Sequence, residues 1–201
     1  MHDWDGLTGY EKRRAEMLAE LGFAAFAVDV YGKGVRPTTI DGKKAESGNL
    51  YKDREAFRER LMGGLKAATG MEGVDDEDVV VIGYCFGGAA ALEMARAGAD
   101  VEGFVTFHGG LGTPEGQDYS KVDAPILVLH GSADPAAPMS QVAELVAAMD
   151  EANVDFEVQL YSGARHSFTE WSAKGDTSQY DAVADRKSWQ ALLGFLNQRI
   201  R

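Results

Sequence analysis

The stretch VVVIGYCFGGAAALEMARAG, residues 79–98, contains the only cysteine in this chain of 201 residues. A run of apolar residues enters Gly83, Cys85 stands at the corner, and a segment rich in alanine follows. Short apolar runs that end at glycine are typical of buried strands, whereas alanine favours helix. We therefore predict a strand over residues 79–82 and a helix over residues 87–97, with the thiol at the turn between them.

The same alternation of apolar runs and helical segments continues along the rest of the chain. The other predicted strands cover residues 23–32, 104–110, 126–130 and 156–160. The other predicted helices cover residues 8–21, residues 53–70, a segment capped by Ser140, and residues from about Asp185 to Ile200. Short strands that alternate with helices form parallel sheets that helices cover on both faces. The sequence therefore predicts one α/β domain over residues 1–201, with the strand at 156–160 near an edge of the sheet.

Local signals mark the starts of two helices. Thr8 and Glu11 form the pattern T-x-x-E of a capping box, and Asp53 starts the next helix. Between these helices, residues 33–52 are polar and contain glycine and proline, so we predict a long excursion over the surface. Two interpretations of this excursion remain open, namely a lid over a pocket and a plain surface loop.

The formal net charge of −12 predicts an acidic surface. Phosphate binding needs clustered lysine and arginine, so the composition argues against nucleic acid and anionic membranes as partners. No apolar run approaches the length of a membrane span, and the first residues lack the apolar stretch of a signal peptide. A single cysteine forms no internal disulfide, which fits the cytoplasm. The zinc motifs with paired histidines or cysteines are missing, and we expect neither a metal nor a cofactor.

The strand, the pattern G-x-C-x-G and the following helix resemble the nucleophile elbow of the α/β-hydrolases, with cysteine in place of serine. Gly83 and Gly87 leave room for backbone that approaches closely at the turn. The helix that starts at the corner directs its positive end at Cys85, which stabilises a thiolate, the reactive form. The backbone N–H of Phe86 is then placed to donate to an oxyanion. The alternative is an ordinary buried cysteine, which is usually inert.

An elbow also predicts that the acid and then the histidine follow the nucleophile along the chain. Asp134 comes after the strand at residues 126–130, and His166 follows the strand at residues 156–160 in a loop that contains glycine. Asp29 also follows a strand, but it precedes the nucleophile. The rival histidines are His2 and two residues at strand ends that we interpret as packed structural side chains, His108 and His130.

Five segments in the same order resemble the dienelactone hydrolases over nearly the whole chain. They are HDWDGLTGYEKRRAEMLAELGFAAFAVDVYGKG from residue 2, GYCFGG from residue 83, LHGSADPAAP from residue 129, GARHSF from residue 163 and YDAVADRKSWQALLGFL from residue 180. The resemblance implies the α/β-hydrolase fold and an enzyme that hydrolyses small-molecule esters or lactones. It also implies a triad with a thioester acyl-enzyme, in which Cys85 is the nucleophile, His166 is the base and Asp134 orients the imidazole.

The resemblance implies further roles around the triad. The backbone N–H of Trp4 is the second oxyanion donor beside that of Phe86, and Asp3 holds the resting thiol where the family has the longer glutamate. The expected substrate-binding residues are Tyr84, Phe168, Glu170 and Trp171. Glu170 stands where the dienelactone enzymes have an arginine for the substrate carboxylate, so we expect anionic substrates to be repelled. Alternative partners for such an anion are Arg54, Arg58 and Arg60.

Other interpretations remain. In the family a strand leads into the opening loop, so we expect that first strand to be missing from a chain that starts at Met1. The glutamine amidotransferase-like fold also places a cysteine on an elbow, although it commonly has histidine where Phe86 stands. A non-catalytic binding protein with the hydrolase fold and a redox-sensing thiol are further alternatives. We expect a monomer or a homodimer.

Overall fold

Within residues 1–200, which this computed structural model describes, the chain forms six helices and four strands. The helices are α1 (Gly9–Ala19), α2 (Ile40–Lys52), α3 (Arg54–Thr69), α4 (Phe86–Arg96), α5 (Met139–Glu151) and α6 (Ala182–Arg199). The strands are β1 (Val80–Tyr84), β2 (Gly103–Phe107), β3 (Ile126–Gly131) and β4 (Phe156–Tyr161). The chain divides into two compact units, Met1–Asp76 and Glu77–Arg201. A single domain over residues 1–201 therefore stays a prediction.

The second unit contains a four-stranded sheet in the order β1-β2-β3-β4. All three pairs of neighbouring strands are parallel, with Thr106 opposite both Gly83 and Val128. β4 lies at an edge of this sheet, as predicted for residues 156–160. Because the strands are parallel, the loops that follow them gather at one edge of the sheet, where the functional groups of such folds are found.

Helices cover both faces of the sheet. A Cβ atom at Gly103 of β2 would lie 2.6 Å from the ring of Phe195, so this face of β2 packs against α6. Thr106 points the opposite way, because side chains alternate along a strand, and it lies against Gly88 of α4. α4 and α6 therefore lie on opposite faces. The predicted α/β architecture, with a parallel sheet and helices on both faces, is confirmed.

The two central strands form the core of the second unit. Every residue of β2 and β3 is buried, and most of them are branched or aromatic. Such side chains fit a pleated surface, and burial on both faces explains why neither strand alternates apolar with polar residues. α5 then begins at Met139 after Pro138, so Ser140 lies in its first turn and the predicted cap is wrong.

In the first unit, α1 has the capping box that the sequence predicts. The side chain of Thr8 accepts a hydrogen bond from the N–H of Tyr10 at 3.2 Å, and the carboxylate of Glu11 accepts one from the N–H of Thr8 at 2.8 Å. α3 begins after Asp53, whose side chain accepts from the N–H of Ala56 at 3.0 Å. Both predicted helix starts are confirmed, because a capping side chain acts within three residues of itself.

The strand predicted over residues 23–32 is wrong. These residues belong to none of the four strands described, and Phe26 in this segment is 45% exposed. The N–H of Val30 donates instead to the imidazole of His2, at 3.0 Å. Only Val30 and Tyr31 of this segment are buried, so its apolar composition predicts neither burial nor a strand, which needs a neighbouring backbone that exchanges hydrogen bonds with it.

Residues 33–52 are more regular than the predicted surface excursion. Their second half forms α2, which Thr39 caps by accepting a hydrogen bond from the N–H of Gly42 at 3.1 Å. The sequence hides this helix because it lacks an apolar stripe: Leu50 is buried, but Ile40 is 63% exposed. The surface loop is therefore wrong for this half, and a lid role stays a prediction.

Candidate active site

Three side chains from separate loops of the second unit meet at the edge of the sheet where the strands end. His166 Nδ1 lies 2.8 Å from Asp134 Oδ2, and His166 Nε2 lies 3.0 Å from Cys85 Sγ. A carboxylate only accepts hydrogen bonds, so the proton of a neutral imidazole belongs on Nδ1. Nε2 then faces the sulfur and is able to take the thiol proton. The structure thus brings together all three residues that the chain order singles out.

The backbone at Cys85 is strained. Its φ is 50° and its ψ is −109°, in the half of the map that residues with a Cβ rarely occupy. Two backbone bonds hold the corner: the N–H of Cys85 donates to the carbonyl of Phe107 at 3.0 Å, and its own carbonyl accepts from Ala89 at 3.1 Å. A Cβ at Gly83 would overlap the carbonyl of Gly87, so the close approach of α4 to β1 requires glycine.

α4 begins at Phe86, so the N-terminus of a helix of 11 residues follows directly on Cys85. The aligned peptide dipoles place positive charge at this end, which stabilises a thiolate. The side chain of Phe86 is buried, whereas Cys85 is only partly buried. A substrate can therefore approach the cysteine beside a helix end that is suited to hold negative charge.

Asp134 divides its two oxygens between two tasks. Oδ1 accepts backbone N–H groups from Ala136 at 2.8 Å and from Ala137 at 3.2 Å, while Oδ2 accepts from His166. The side chain is buried, so these bonds replace the water that an ionised carboxylate would otherwise bind. An aspartate that accepts from the residues just after it is a common turn signal, and the sequence D-P-A-A-P contains it.

The loop of Asp134 and the loop of His166 contact each other directly. The N–H of Ala133 donates to the carbonyl of Ala164 at 3.0 Å, and the N–H of Gly163 donates to Ser132 Oγ at 2.9 Å. A Cβ at Gly131 would overlap the carbonyl of Ala164. These contacts set the separation of the acid and the base, and no local sequence signal predicts them because the partners are about thirty residues apart.

Beyond the histidine, the chain folds back on itself. The N–H of Gln179 donates to the carbonyl of His166 at 3.0 Å, and the N–H of Asp181 donates to that of Phe168 at 3.0 Å. Ser167, between them, has a φ of 54°. The histidine is therefore held from both sides of its loop, which favours one ring orientation.

His108 packs behind the histidine of the site. Its Nε2 lies 2.7 Å from Thr169 Oγ1, and its ring stands 5.4 Å from the ring of His166 at an angle of 67°. The side chain is 1% exposed. This placement agrees with the interpretation of His108 as a packed structural residue, and it also joins β2 to the loop that carries His166.

His130, at the end of β3, is fully buried. Its Nε2 lies 2.8 Å from the carbonyl oxygen of Ala137 and 4.0 Å from Asp134 Oδ2. Burial lowers the pKa of His130, so its ring is neutral near pH 7. It agrees with the interpretation as a structural residue, and it contacts the acid loop rather than the sulfur.

In the first unit, the rival histidine and the rival acid both have structural partners. His2 is fully buried, donates from Nδ1 to the carbonyl of Asp3 at 2.6 Å, and accepts at Nε2 from Val30. Burial also lowers the pKa of His2. Asp29 forms an ion pair with Arg36 at 2.7 Å. Both residues therefore have structural roles within this unit.

The expected second oxyanion donor and the expected thiol-holding acid are bonded to each other in the first unit. The N–H of Trp4 donates to Asp3 Oδ1 at 2.5 Å, and the N–H of Asp3 donates to Glu11 Oε1 at 3.1 Å. The hydroxyl of Tyr31 donates to the carbonyl of Trp4 at 3.0 Å. Hydrogen bonds within the first unit therefore hold the opening loop, and the two catalytic roles stay predictions.

The four expected substrate-binding residues differ in exposure. Tyr84 is buried and stacks on Phe107 at 4.6 Å between ring centroids, and Phe168 is buried against His108 at 5.1 Å. Glu170 Oε1 accepts hydrogen bonds from the N–H and the hydroxyl of Ser172 at 3.1 and 2.9 Å. The exposed member is Trp171, at 39%. Substrate contact stays a prediction for all four, and the two buried rings also serve as core.

Two of the three arginines considered as anion partners are bonded within the first unit. Arg60 donates to the carbonyls of Val30 at 3.1 Å and Tyr31 at 2.8 Å, and Arg54 lies over the ring of Tyr51 at 4.9 Å.

Among residues 1–200, no cluster of three or more histidine, cysteine and acidic side chains is arranged to hold a metal ion. Over the same residues, none of the helices combines the length and the apolar character needed to cross a bilayer.

Known proteins share this arrangement of segments. Carboxymethylenebutenolidase of Pseudomonas putida is 27% identical over 187 residues, which cover 90% of this chain and 78% of that protein. The solved dienelactone hydrolase-like promiscuous phosphotriesterase P91, from metagenomic libraries, is 34% identical with a TM-score of 0.93. The solved structure of m3DLH is 30% identical with a TM-score of 0.94. Each superposition covers 99% of this chain and 84% of the other.

The model of the dienelactone hydrolase family matches residues 1–200. The parallel sheet, the elbow after β1 and the order of the loops agree with that match. The chain therefore belongs to the dienelactone hydrolase family and is an ester hydrolase with the α/β-hydrolase fold.

Proposed function

We propose that the protein hydrolyses carboxylic esters or lactones of small molecules, with Cys85 as nucleophile and a thioester acyl-enzyme as intermediate. One observation carries this proposal: His166 lies within hydrogen-bond distance of both Cys85 Sγ and Asp134 Oδ2, through its two different nitrogens. Nucleophile, base and orienting acid in one line are the arrangement that acyl transfer requires.

In the first step the sulfur attacks the carbonyl carbon while its proton passes to His166 Nε2. The carbonyl electron pair moves onto oxygen, and the N–H of Phe86 at the start of α4 donates to that oxyanion. The intermediate collapses, the C–O bond breaks, and the imidazolium returns the proton to the leaving alkoxide. The products are a free alcohol, or the opened ring of a lactone, and an acyl group on Cys85.

In the second step His166 Nε2 takes a proton from water, and the hydroxide attacks the thioester carbonyl. Collapse of this intermediate breaks the C–S bond and releases the carboxylic acid, and the imidazolium returns its proton to the departing sulfur, which restores the thiol of Cys85. Asp134 stays ionised throughout, holds the Nδ1 proton and stabilises the imidazolium that forms in each step. Amides have a poorer leaving group than activated esters, so esters are the better substrates.

The oxyanion needs a second donor, and we propose the N–H of Trp4 for this role and Asp3 for holding the resting thiol. In the first unit that N–H is engaged by Asp3 Oδ1. The N–H becomes available to an oxyanion only when this carboxylate oxygen leaves it. In Asp3→Asn the amide oxygen can still accept from the N–H of Trp4, but the side chain no longer carries the negative charge proposed to hold the thiol.

The preferred substrates are neutral. Carboxymethylenebutenolidases are relatives of this chain. However, Glu170 stands where the resemblance to the dienelactone enzymes implies an arginine, and the net charge of the chain is −12. A carboxylate-bearing lactone is repelled by this charge. We therefore propose that the substrates are neutral esters and lactones, and that they bind against an apolar surface that includes Trp171.

A second candidate activity rests on similarity to P91, a promiscuous phosphotriesterase that is 34% identical to this chain. A thiolate that attacks a carbonyl carbon can also attack the phosphorus of a neutral triester, with the alkoxide or phenoxide as leaving group. A p-nitrophenyl phosphotriester therefore belongs in the same panel as p-nitrophenyl acetate. Turnover of the triester that depends on Cys85 supports this candidate.

The test is hydrolysis of p-nitrophenyl acetate before and after alkylation, which is unambiguous because the chain has one cysteine. We expect activity to disappear in proportion to modification, and mass spectrometry of the quenched wild-type enzyme to show one acyl group on Cys85. Ser162→Ala, an exposed change in the same loop as His166, is the matched control and keeps activity. Unchanged hydrolysis after complete alkylation would falsify the proposal.

The same panel separates the alternatives. A non-catalytic binding protein turns over no ester, lactone or thioester although it is folded. A redox sensor loses its thiol to peroxide but shows no acyl adduct on Cys85 with any ester. An amidotransferase-like enzyme releases ammonia from an amide faster than it hydrolyses an activated ester.

A further inference from the structure

His130 touches the acid loop but not the sulfur, and the mechanism above gives it no task. Its ring is fully buried at the end of β3. Nε2 lies 2.8 Å from the carbonyl oxygen of Ala137 and 4.0 Å from Asp134 Oδ2. Burying a polar side chain in the core around β3 costs free energy unless a hydrogen bond compensates for the loss of water.

The contact defines the tautomer of the ring. A carbonyl oxygen only accepts hydrogen bonds, so His130 Nε2 must carry the proton and Nδ1 must be bare. Nδ1 is buried and has no hydrogen-bond partner among residues 1–200. The neutral ring therefore donates one N–H, directed at the acid loop, and the positive end of that N–H dipole also faces Asp134 Oδ2.

Ala137, which accepts a hydrogen bond from His130, also donates one to Asp134. Ala137 offers its carbonyl to His130 and its N–H to Asp134 Oδ1, at 2.8 and 3.2 Å. Ala136 supplies the other N–H to the same oxygen. If the carbonyl is released, the turn keeps the bond from the N–H of Asp134 to the carbonyl of Gly131 at 3.1 Å, but it loses the contact that fixes Ala137, one of the two donors that turn Oδ2 toward His166.

We propose that His130 is a positioning residue, which links the acid loop to β3 so that Asp134 Oδ2 faces His166 Nδ1. This inference rests on the proposed function, because it assigns His130 a part in that same reaction. The ionisable groups around the two rings include Asp134 and His166 for His130, and Asp134, Cys85 and His108 for His166.

The test compares two variants that differ in one donor. His130→Gln keeps an N–H donor at similar reach to Ala137, whereas His130→Leu has similar bulk and no donor. We expect H130L to lower kcat on p-nitrophenyl acetate by about 10-fold with KM nearly unchanged, by analogy with the loss of hydrogen-bond partners behind metal-ligating histidines. H130Q should stay within about 3-fold of wild type, since it preserves the hydrogen bond.

The acid limb of the rate profile gives a second readout. A well-placed Asp134 carboxylate stabilises the imidazolium of His166, so loosening it lets His166 lose its proton at lower pH. The acid limb of H130L should therefore move to lower pH, and that of H130Q should coincide with wild type. Equal kcat and equal acid limbs in wild type, H130L and H130Q would overturn the inference.

Nitrogen NMR of the imidazoles keeps the test independent of activity and of the stability of one variant. In wild type, we expect His130 to be protonated on Nε2 and His166 on Nδ1, and we expect the His166 Nδ1 proton to lose its downfield shift in H130L or in H130M. A His130 ring protonated on Nδ1 in wild type would overturn the inference even if neither apolar variant folds. If the enzyme hydrolyses no ester but these shifts appear, the proposed function fails and the positioning role stands.

Discussion

Asp134 illustrates how much one side chain decides at the scale of the residue. Its Oδ1 accepts two backbone N–H groups and its Oδ2 accepts the Nδ1 proton of His166. In Asp134→Asn the amide oxygen keeps the backbone bonds, which leaves an NH₂ group facing His166. The imidazole must then accept at Nδ1 and carry its proton on Nε2, so it can no longer take the proton of Cys85.

We therefore expect D134N to lose about 10³- to 10⁴-fold in kcat on an activated ester, the effect that a wrong tautomer has in serine enzymes of this kind. The thermal unfolding midpoint should change little, because the hydrogen bonds of the loop are retained. Steady-state kinetics and calorimetry on the same sample check both parts. A D134N enzyme within tenfold of wild type would mean that the carboxylate does not orient the base.

A second prediction at this scale concerns pH and stability. Burial lowers the pKa of both His2 and His130 in the folded protein, so folding favours their neutral forms. Their contribution to stability is complete above the pKa of an unfolded histidine, about 6.5, and is lost as the pH falls through the lower folded values. Urea unfolding at pH 7.5, 6.5 and 5.5 should show a falling free energy of unfolding.

Carboxylates also lose their native partners in acid, so the histidine contribution needs a matched comparison. His2→Gln and His130→Gln offer neutral side chains that can replace the key hydrogen bonds. The free energy of unfolding of the double variant should fall less steeply with pH than that of wild type. Parallel curves would show that the two imidazoles do not titrate with unfolding.

At the scale of the element, the approach of α4 to β1 depends on a missing side chain. A Cβ at Gly83 would overlap the backbone carbonyl of Gly87, which cannot move without displacing the helix. Gly83→Ala should therefore cost several kcal/mol, on the order of 3 kcal/mol or more by analogy with overpacked cores. Gly63→Ala is the control, since its Cβ meets nothing within 4 Å on α3.

Denaturant unfolding should show G83A strongly destabilised or insoluble, and G63A slightly more stable than wild type, by about 0.5–1 kcal/mol because alanine favours helix. Similar stabilities for the two variants would contradict the close approach seen at the elbow.

Elements whose cause is local could be predicted from the sequence, and elements whose cause is tertiary could not. Thr8 and Asp53 act on backbone within three residues, so their helix starts follow from the letters alone. β2 and β3 are apolar throughout because both faces are buried. Residues 23–32 are also apolar in sequence, but they belong to none of the strands described within residues 1–200, and α2 forms without an apolar stripe, so pattern recognition fails for both.

At the scale of the whole molecule, the chain order of cysteine, aspartate and histidine pointed to three loops, and the structure places His166 within hydrogen-bond distance of both Cys85 and Asp134. The supporting contacts could not be read from sequence. The bond from Ala133 to Ala164 depends on how β3 and β4 pair, and the bond from His130 to Ala137 depends on how the loop after β3 folds back onto that strand. The catalytic role of the three side chains remains the proposal that the ester panel tests.

The net charge of −12 and Glu170, four residues after His166, predict a preference for neutral over anionic substrates. Glu170→Arg should raise kcat/KM for a carboxylate-bearing ester relative to its neutral methyl ester by about 3- to 10-fold, since it exchanges repulsion for attraction. Glu170→Gln, which only removes the charge, should give a smaller change in the same direction. Unchanged relative rates in both variants would place Glu170 away from the substrate.

The backbone of Cys85 lies in the left-handed region, with a φ of 50°. Only glycine enters that region without a conformational penalty, which for other residues is of order 1–3 kcal/mol. A scaffold that served purely as a shape would gain thermodynamically from glycine at that corner. A thiol at that corner, against the preference of the main chain, is what the proposed nucleophile requires and what packing alone does not explain.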